Sequence, residues 1–187
     1  GAKAAISQLT SFSPEGCAIK TPEMGRFSEG KIVDAKDKVA TEVEIKPAKL
    51  YGLYIAGTQL TEFNYAHLSK IKGVMVAQEG GVFQYDPTKN TLTMKDVTVT
   101  TDASSAINNN VENLTIIVSG ANELKSTQGA GLLCGKSTKI EGSGELTIGS
   151  TDGEVGLYLN GDVQLTVSDI TLNVTGHIAI GNERPTS

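Results

Sequence analysis

Four tyrosines and four carboxylates are the side chains whose type and spacing could do chemistry. Tyr54, Tyr65, Tyr85 and Tyr158 offer flat rings with a polar edge. Such rings stack on the apolar face of a sugar and hydrogen-bond its hydroxyls. An outward tyrosine is equally a good residue for a solvated strand, so ring type alone leaves both readings open. Asp102, Asp152, Glu154 and Asp162 form a candidate oxygen set for calcium. Asp102 and Asp152 each follow a threonine and fall two repeat units apart, which in a stacked coil separates them by roughly 9.6 Å. Calcium ligands sit about 2.3–2.6 Å from the ion, so this pair needs Glu154 or Asp162 folded back beside it.

Other reactive side chains form no constellation. His67 and His177 have no partner at metal or triad spacing. Ser104-Ser105 lacks the strained turn of a nucleophile elbow, and no glycine motif suits a phosphate. Cys17 and Cys134 are the two cysteines, too few for a disulfide framework or a zinc site. Cys134 takes the repeat position of Leu159, which reads as a buried apolar filler; a Cys17–Cys134 bridge stays open. Polysaccharide hydrolases and lyases need clustered carboxylates, or a metal beside a basic residue. No two acids fall at neighbouring repeat positions, and the two arginines are Arg26, before the repeat, and Arg184, near its end. Enzyme chemistry is therefore the less favoured reading, and no cofactor beyond calcium is suggested.

The elements that must position these residues repeat. Ala106 to Thr127, Gly131 to Thr151 and Gly156 to Thr175 can be laid on one another. Each carries an apolar pair such as Leu132 and Cys134, then an alternating stretch such as Leu114-Ile116-Val118. A third apolar position (Leu124, Ile148, Leu172) and a corner threonine follow (Thr101, Thr127, Thr151, Thr175). A period of about two dozen residues is that of a stacked coil. The expected fold class is all-β, a parallel β-helix of about four rungs, right-handed by the crossover preference. Ile107, Leu132, Leu157 and Ile180 form one expected inward column, and Val99, Leu124, Ile148 and Leu172 another. Tyr54, Tyr158, Thr115, Lys139, Gln164, Thr166, Thr147 and Thr171 face outward.

Composition agrees with strands and tight turns. The 187 residues include 21 Gly and no Trp, with 39% apolar and 5% aromatic residues. A net charge of −5 leaves no basic stripe for a nucleic-acid partner. No apolar segment is long enough for a membrane-spanning helix. The start Gly1-Ala2-Lys3-Ala4 reads as a chain from which a leader has been trimmed.

Residues 1–48 do not share the period. Short runs at Ile6-Leu9-Phe12, Cys17 to Ile19, Gly30 to Val33 and Val39 to Ile45 alternate with turn residues. This region reads as a small β cap on the coil end, or as an independent β-sandwich fragment; residues 49–187 read as the β-helix domain. Phe63, His67, Leu68 and Ile71 suit one short helix over 62–71, with Thr61 or Asn64 as its N-cap. Asp86 to Asn90 reads as a turn between strands.

Tyr51-Gly52-Leu53-Tyr54-Ile55-Ala56-Gly57-Thr58-Gln59-Leu60-Thr61 echoes Gly156-Leu157-Tyr158-Leu159-Asn160-Gly161 and its following Gln164-Leu165-Thr166. Together with Tyr85-Asp86-Pro87 and Asn90-Thr91-Leu92-Thr93-Met94, this run resembles the module opening many β-helical surface proteins of gut bacteria. Those proteins continue with the same Gly-Leu-Tyr and Leu-Thr-Ile/Val repeats. The likeness covers about residues 49 to 182. It implies export to the cell surface and an adhesin-like or carbohydrate-binding role, with a host or plant glycan as partner. Three functions stand side by side: a non-enzymatic glycan-binding module, a structural spacer presenting another domain, and a polysaccharide lyase or hydrolase.

Overall fold

The computed structural model describes residues 4–151 and 155–183. Residues 17 to 47 make two small antiparallel pairs. β1 (Cys17–Thr21) joins the later β4 (Glu44–Pro47), and β2 (Arg26–Ser28) joins β3 (Lys31–Val33). The Ile6-Leu9-Phe12 run forms no strand; Ala5 and Leu9 donate their N–H groups to the Ala40 and Gly30 carbonyls. The alternating run expected as a strand from Val39 to Ile45 bends at Thr41, and β4 starts at Glu44. The Ala40 N–H is already taken by the Ile32 carbonyl at 2.9 Å, which turns the chain away there. Met24 is buried in the same apolar cluster as the coil interior, so this segment packs onto the coil.

β5 (Leu50–Ile55) and β6 (Thr58–Thr61) form a hairpin. Ala56 and Gly57, at φ of 46° and 76°, supply the paired positive angles that a two-residue hairpin turn needs. The helix expected over 62–71 is a single 3₁₀ turn at Leu68–Lys70, after which Ile71 is extended. Thr61 and Asn64, expected as its N-cap, instead close the turn before it: Asn64 Oδ1 accepts the Thr61 N–H at 2.8 Å and Thr61 Oγ1 the Phe63 N–H at 3.2 Å, while the 3₁₀ turn is preceded by His67, whose side chain makes no capping bond. Leu68 and Ile71 are buried, as their spacing required. One turn is enough to bury both, and so short a segment has little helical stability of its own. β7 (Val74–Val76) and β8 (Val82–Asp86) follow. Asp86 Oδ1 then accepts from the Thr88 N–H and hydroxyl and from the Lys89 N–H, building the expected turn.

From Thr91 the chain winds through four rungs. The first is β9 (Thr91–Lys95), β10 (Val97–Thr101) and β11 (Ser105–Asn109), and the second β12 (Leu114–Ser119), β13 (Ala121–Ser126) and β14 (Ala130–Cys134). The third is β15 (Thr138–Gly142), β16 (Glu145–Ser150) and β17 (Val155–Asn160), and the fourth β18 (Leu165–Ser168), β19 (Thr171–Thr175) and β20 (Ile178–Glu183). Like strands stack in parallel as three sheets: β9-β12-β15-β18, β10-β13-β16-β19 and β11-β14-β17-β20. This is a parallel β-helix. The first edge of each sheet is paired antiparallel, by β8, β7 and β5 respectively. The edges are thus satisfied by residues 50–86. At the other end Val167, Ile178 and Ile180 are 40%, 48% and 51% exposed, and no strand pairs beyond β18, β19 and β20 among the described residues.

The column Ile107–Leu132–Leu157–Ile180 stands in register as expected. In the second column Val99, Leu124 and Ile148 are followed by Val174, while Leu172 lies beside Leu146. Leu172 keeps its inward face because the slip is two residues, a full strand period. The four corner threonines are not one column: Thr101 stands against Ser126, Ser126 against Ser150, and Thr175 against Gly149. Corners of unequal length absorb the difference. Leu53-Tyr54-Ile55 occupies the same sheet as Leu157-Tyr158-Leu159, as the echo suggests, but runs in the opposite direction.

Polar side chains hold the corners from inside. Asn109 is a strand residue with its side chain fully buried. Its Oδ1 accepts the Val111 N–H at 2.7 Å and its Nδ2 donates to Thr138 Oγ1 at 2.9 Å. Asn122 accepts the Val97 N–H at 3.1 Å and donates to the Ser119 carbonyl at 2.8 Å. Ser126 donates to the Ala103 carbonyl at 2.7 Å and accepts the Gly129 N–H at 2.9 Å.

Candidate functional site

A cleft of about 1090 Å³ opens between the N-terminal segment and the first rungs of the coil. Its floor is coil and hairpin: Tyr54, the Gly57 turn, Gln59, and the corner Thr100-Thr101-Asp102 with Thr127 of the next rung. Its wall is the N-terminal segment, with Phe12, Pro14, Cys17, Arg26 and Phe27. Phe12 and Phe27 stack on each other, centroids 6.3 Å apart at 27°. Two ion-pair groups fasten wall to floor. Asp37 receives both Arg26 and Lys72, the latter at 2.9 Å. Glu23 receives Lys70 at 2.7 Å and lies 3.4 Å from His67. The Lys70 ammonium, hydrogen-bonded to Glu23, holds that carboxyl below the usual range against a small desolvation penalty.

The four tyrosines separate into two pairs. Tyr54 points outward from β5 and lines the cleft. Tyr54 stands opposite Asn108, Asn108 opposite Leu133, and Leu133 opposite Tyr158, so both tyrosines lie on one outer row of one sheet. Tyr65 and Tyr85 do not join them. Both rings meet Tyr51 edge-on, with centroids 5.7 and 5.6 Å away, and pack against the apolar cluster beneath the cap. Tyr85 is 5% exposed, leaving no open ring face for a ligand. Burial first, then neighbouring tyrosine and acid groups, pushes the Tyr51 and Tyr85 phenols upward. The alternation rule places Tyr85 inward with Phe83 once β8 is known to be a paired strand.

The proposed calcium set does not assemble among the described residues. Asp102 is exposed at the corner between β10 and β11, whereas Asp162 follows β17 at a different corner. Asp152 and Glu154 lie outside the described residues, as does Arg184. No group of three His, Cys, Asp or Glu side chains converges among the described residues. His177 is exposed between β19 and β20. Cys134 is buried in the coil, with its thiol pushed up by burial, and Cys17 is separate from it in the cleft wall; both are free. Phe12, Phe27 and Gln59 were not distinguishable as site residues in the sequence, because only the docking of the N-terminal segment brings them to Tyr54. Comparison of the chain with models of known families, with curated proteins and with solved structures finds no match.

Proposed function

We propose that this chain is a non-enzymatic recognition module that binds carbohydrate in the cleft at Tyr54, displayed at the cell surface after export. The observation that carries this reading is the setting of Tyr54. It pairs a half-buried ring with the neutral hydrogen-bonding groups of Gln59, Thr58 and Thr101 around the concave space of the cleft. Ring faces plus amide and hydroxyl groups are what a sugar needs, since each pyranose offers an apolar face and a polar rim. The cleft cations Arg26 and Lys72 are both engaged by Asp37, which favours binding over the base or metal chemistry of a lyase. Export and surface display follow from the resemblance of residues 49 to 182 to β-helical surface proteins.

A glycan array followed by calorimetry tests the reading. The expected result is binding to one class of plant or host glycan, weakened roughly tenfold or more by Tyr54→Ala. A chain that binds no glycan would instead be a spacer. That second reading draws on the fourth rung, whose exposed Ile178 and Ile180 offer an apolar end to a further domain.

A further inference from the structure

The outer face of the β5-β11-β14-β17 sheet differs from the other two. Over these four strands its accessible positions are Tyr54, Asn108, Leu133 and Tyr158 in one row and Asn110, Gly135 and Asn160 in the next, none of them charged; on β20 the first row continues to Gly181, and Glu183 stands opposite Asn160. The β10 sheet presents Glu123 and Lys125, and the β9 sheet presents Lys139 and Glu141. At the nearby corner Lys136 and Glu112 neutralise one another at 2.7 Å. The row beside that of the two tyrosines is low at Gly135. The Asn110 side chain lies across Gly135, where an added Cβ would meet its Oδ1, and Asn110 Nδ2 donates to Asn108 Oδ1 at 2.9 Å. An uncharged track of outer positions therefore runs from the cleft at Tyr54 past Asn108 and Leu133 to Tyr158.

We infer that the ligand is an uncharged, extended polysaccharide chain lying along the coil axis on this track, not a single sugar or chain end held in the cleft. The inference rests on the carbohydrate reading of the cleft. Tyr54 and Tyr158 are separated by three strand spacings of about 4.8 Å, about 14 Å in all. One pyranose of an extended chain advances by about one such spacing, so each strand underlies about one sugar. The two rings take apolar sugar faces at the ends, Leu133 takes one between them, and the Asn108 and Asn110 amides meet hydroxyls. Without charge on the row, a uronic-acid chain gains nothing over a neutral one.

Calorimetry with linear cello-, xylo- and manno-oligosaccharides, from disaccharide to hexasaccharide, tests the inference on the full chain. In the bound series the affinity rises roughly tenfold or more with length. Tyr158→Ala and Leu133→Glu each abolish the rise with length, whereas Tyr54→Ala weakens every length. Circular dichroism and the melting temperature confirm that each variant is folded. Affinity independent of length, or a hexasaccharide indifferent to both Tyr158→Ala and Leu133→Glu, overturns the track and leaves the cleft reading standing. Failure to bind any oligosaccharide of the three series overturns the track, while the glycan array decides the cleft reading separately.

Discussion

Asn109 and Thr138 are 29 positions apart in sequence and hydrogen-bonded at 2.9 Å inside the coil, joining the end of the first rung to the start of the third. The Thr138 hydroxyl donates in turn to the Lys136 carbonyl at 2.9 Å, so the two side chains close the corner as one network. Asn109→Ala strips the part-buried Val111 N–H of its acceptor and the Thr138 hydroxyl of its buried donor. The expected loss is about 1–3 kcal/mol in urea unfolding. Thr138→Val costs less, and the double variant costs less than the two single losses added, because the partners share one interaction. Additive losses would show that they act separately.

Packing in the lumen sets a second expectation. Leu124 is fully buried between Val99 and Ile148 in the stacked column. Leu124→Ala opens a cavity with a rung on either side and lowers stability by about 2–5 kcal/mol in the same assay. Thr147→Ala, on the outer face of the adjacent strand, stays within about 0.5 kcal/mol.

Acid loosens the N-terminal segment. Glu23 has a lowered pKa in the folded chain, chiefly through its hydrogen bond from Lys70 and further through the Lys70 and His67 charges. A depressed carboxylate contributes stability that is present above its unfolded pKa of about 4.3 and is lost as pH falls through the folded value. Hydrogen exchange in residues 17–47 should therefore speed up as pH drops below about 4.3, after correction for intrinsic rates. Glu23→Gln should flatten that response. The pair is exposed, so the effect is small and local.

Thiol chemistry reports on the cleft. Cys17 is half-buried in the wall, while Cys134 is enclosed in the coil with its thiolate disfavoured by burial. A maleimide should label Cys17 at least about tenfold faster than Cys134 in the native chain. An oligosaccharide bound at Tyr54 should slow the Cys17 reaction. Equal labelling with and without a ligand known to bind would move the binding site elsewhere.

The sequence by itself determined the coil and its faces. Strand alternation and a repeat of about two dozen residues identify Ile107, Leu132, Leu157 and Ile180 as one buried column, and Tyr54 and Tyr158 as outward. Those properties are local and periodic, so neighbouring residues carry them. Only the tertiary structure decided what depends on pairing. The Leu53-Tyr54-Ile55 echo turned out to be an antiparallel edge cover, because the Ala56-Gly57 turn sends the chain back on itself before a rung can form. The helical period of residues 62–71 became one 3₁₀ turn that buries Leu68 and Ile71, because so short a segment has little helical stability of its own. Register decided the rest. Corner length is not encoded in alternation, so Leu172 met Leu146 and the threonine column dissolved. The same registration put Tyr54 and Tyr158 on one row, while the docking of a non-repeating segment brought Phe12 and Phe27 to the cleft. A side chain's face is a property of its strand; its neighbours across strands are a property of the whole fold.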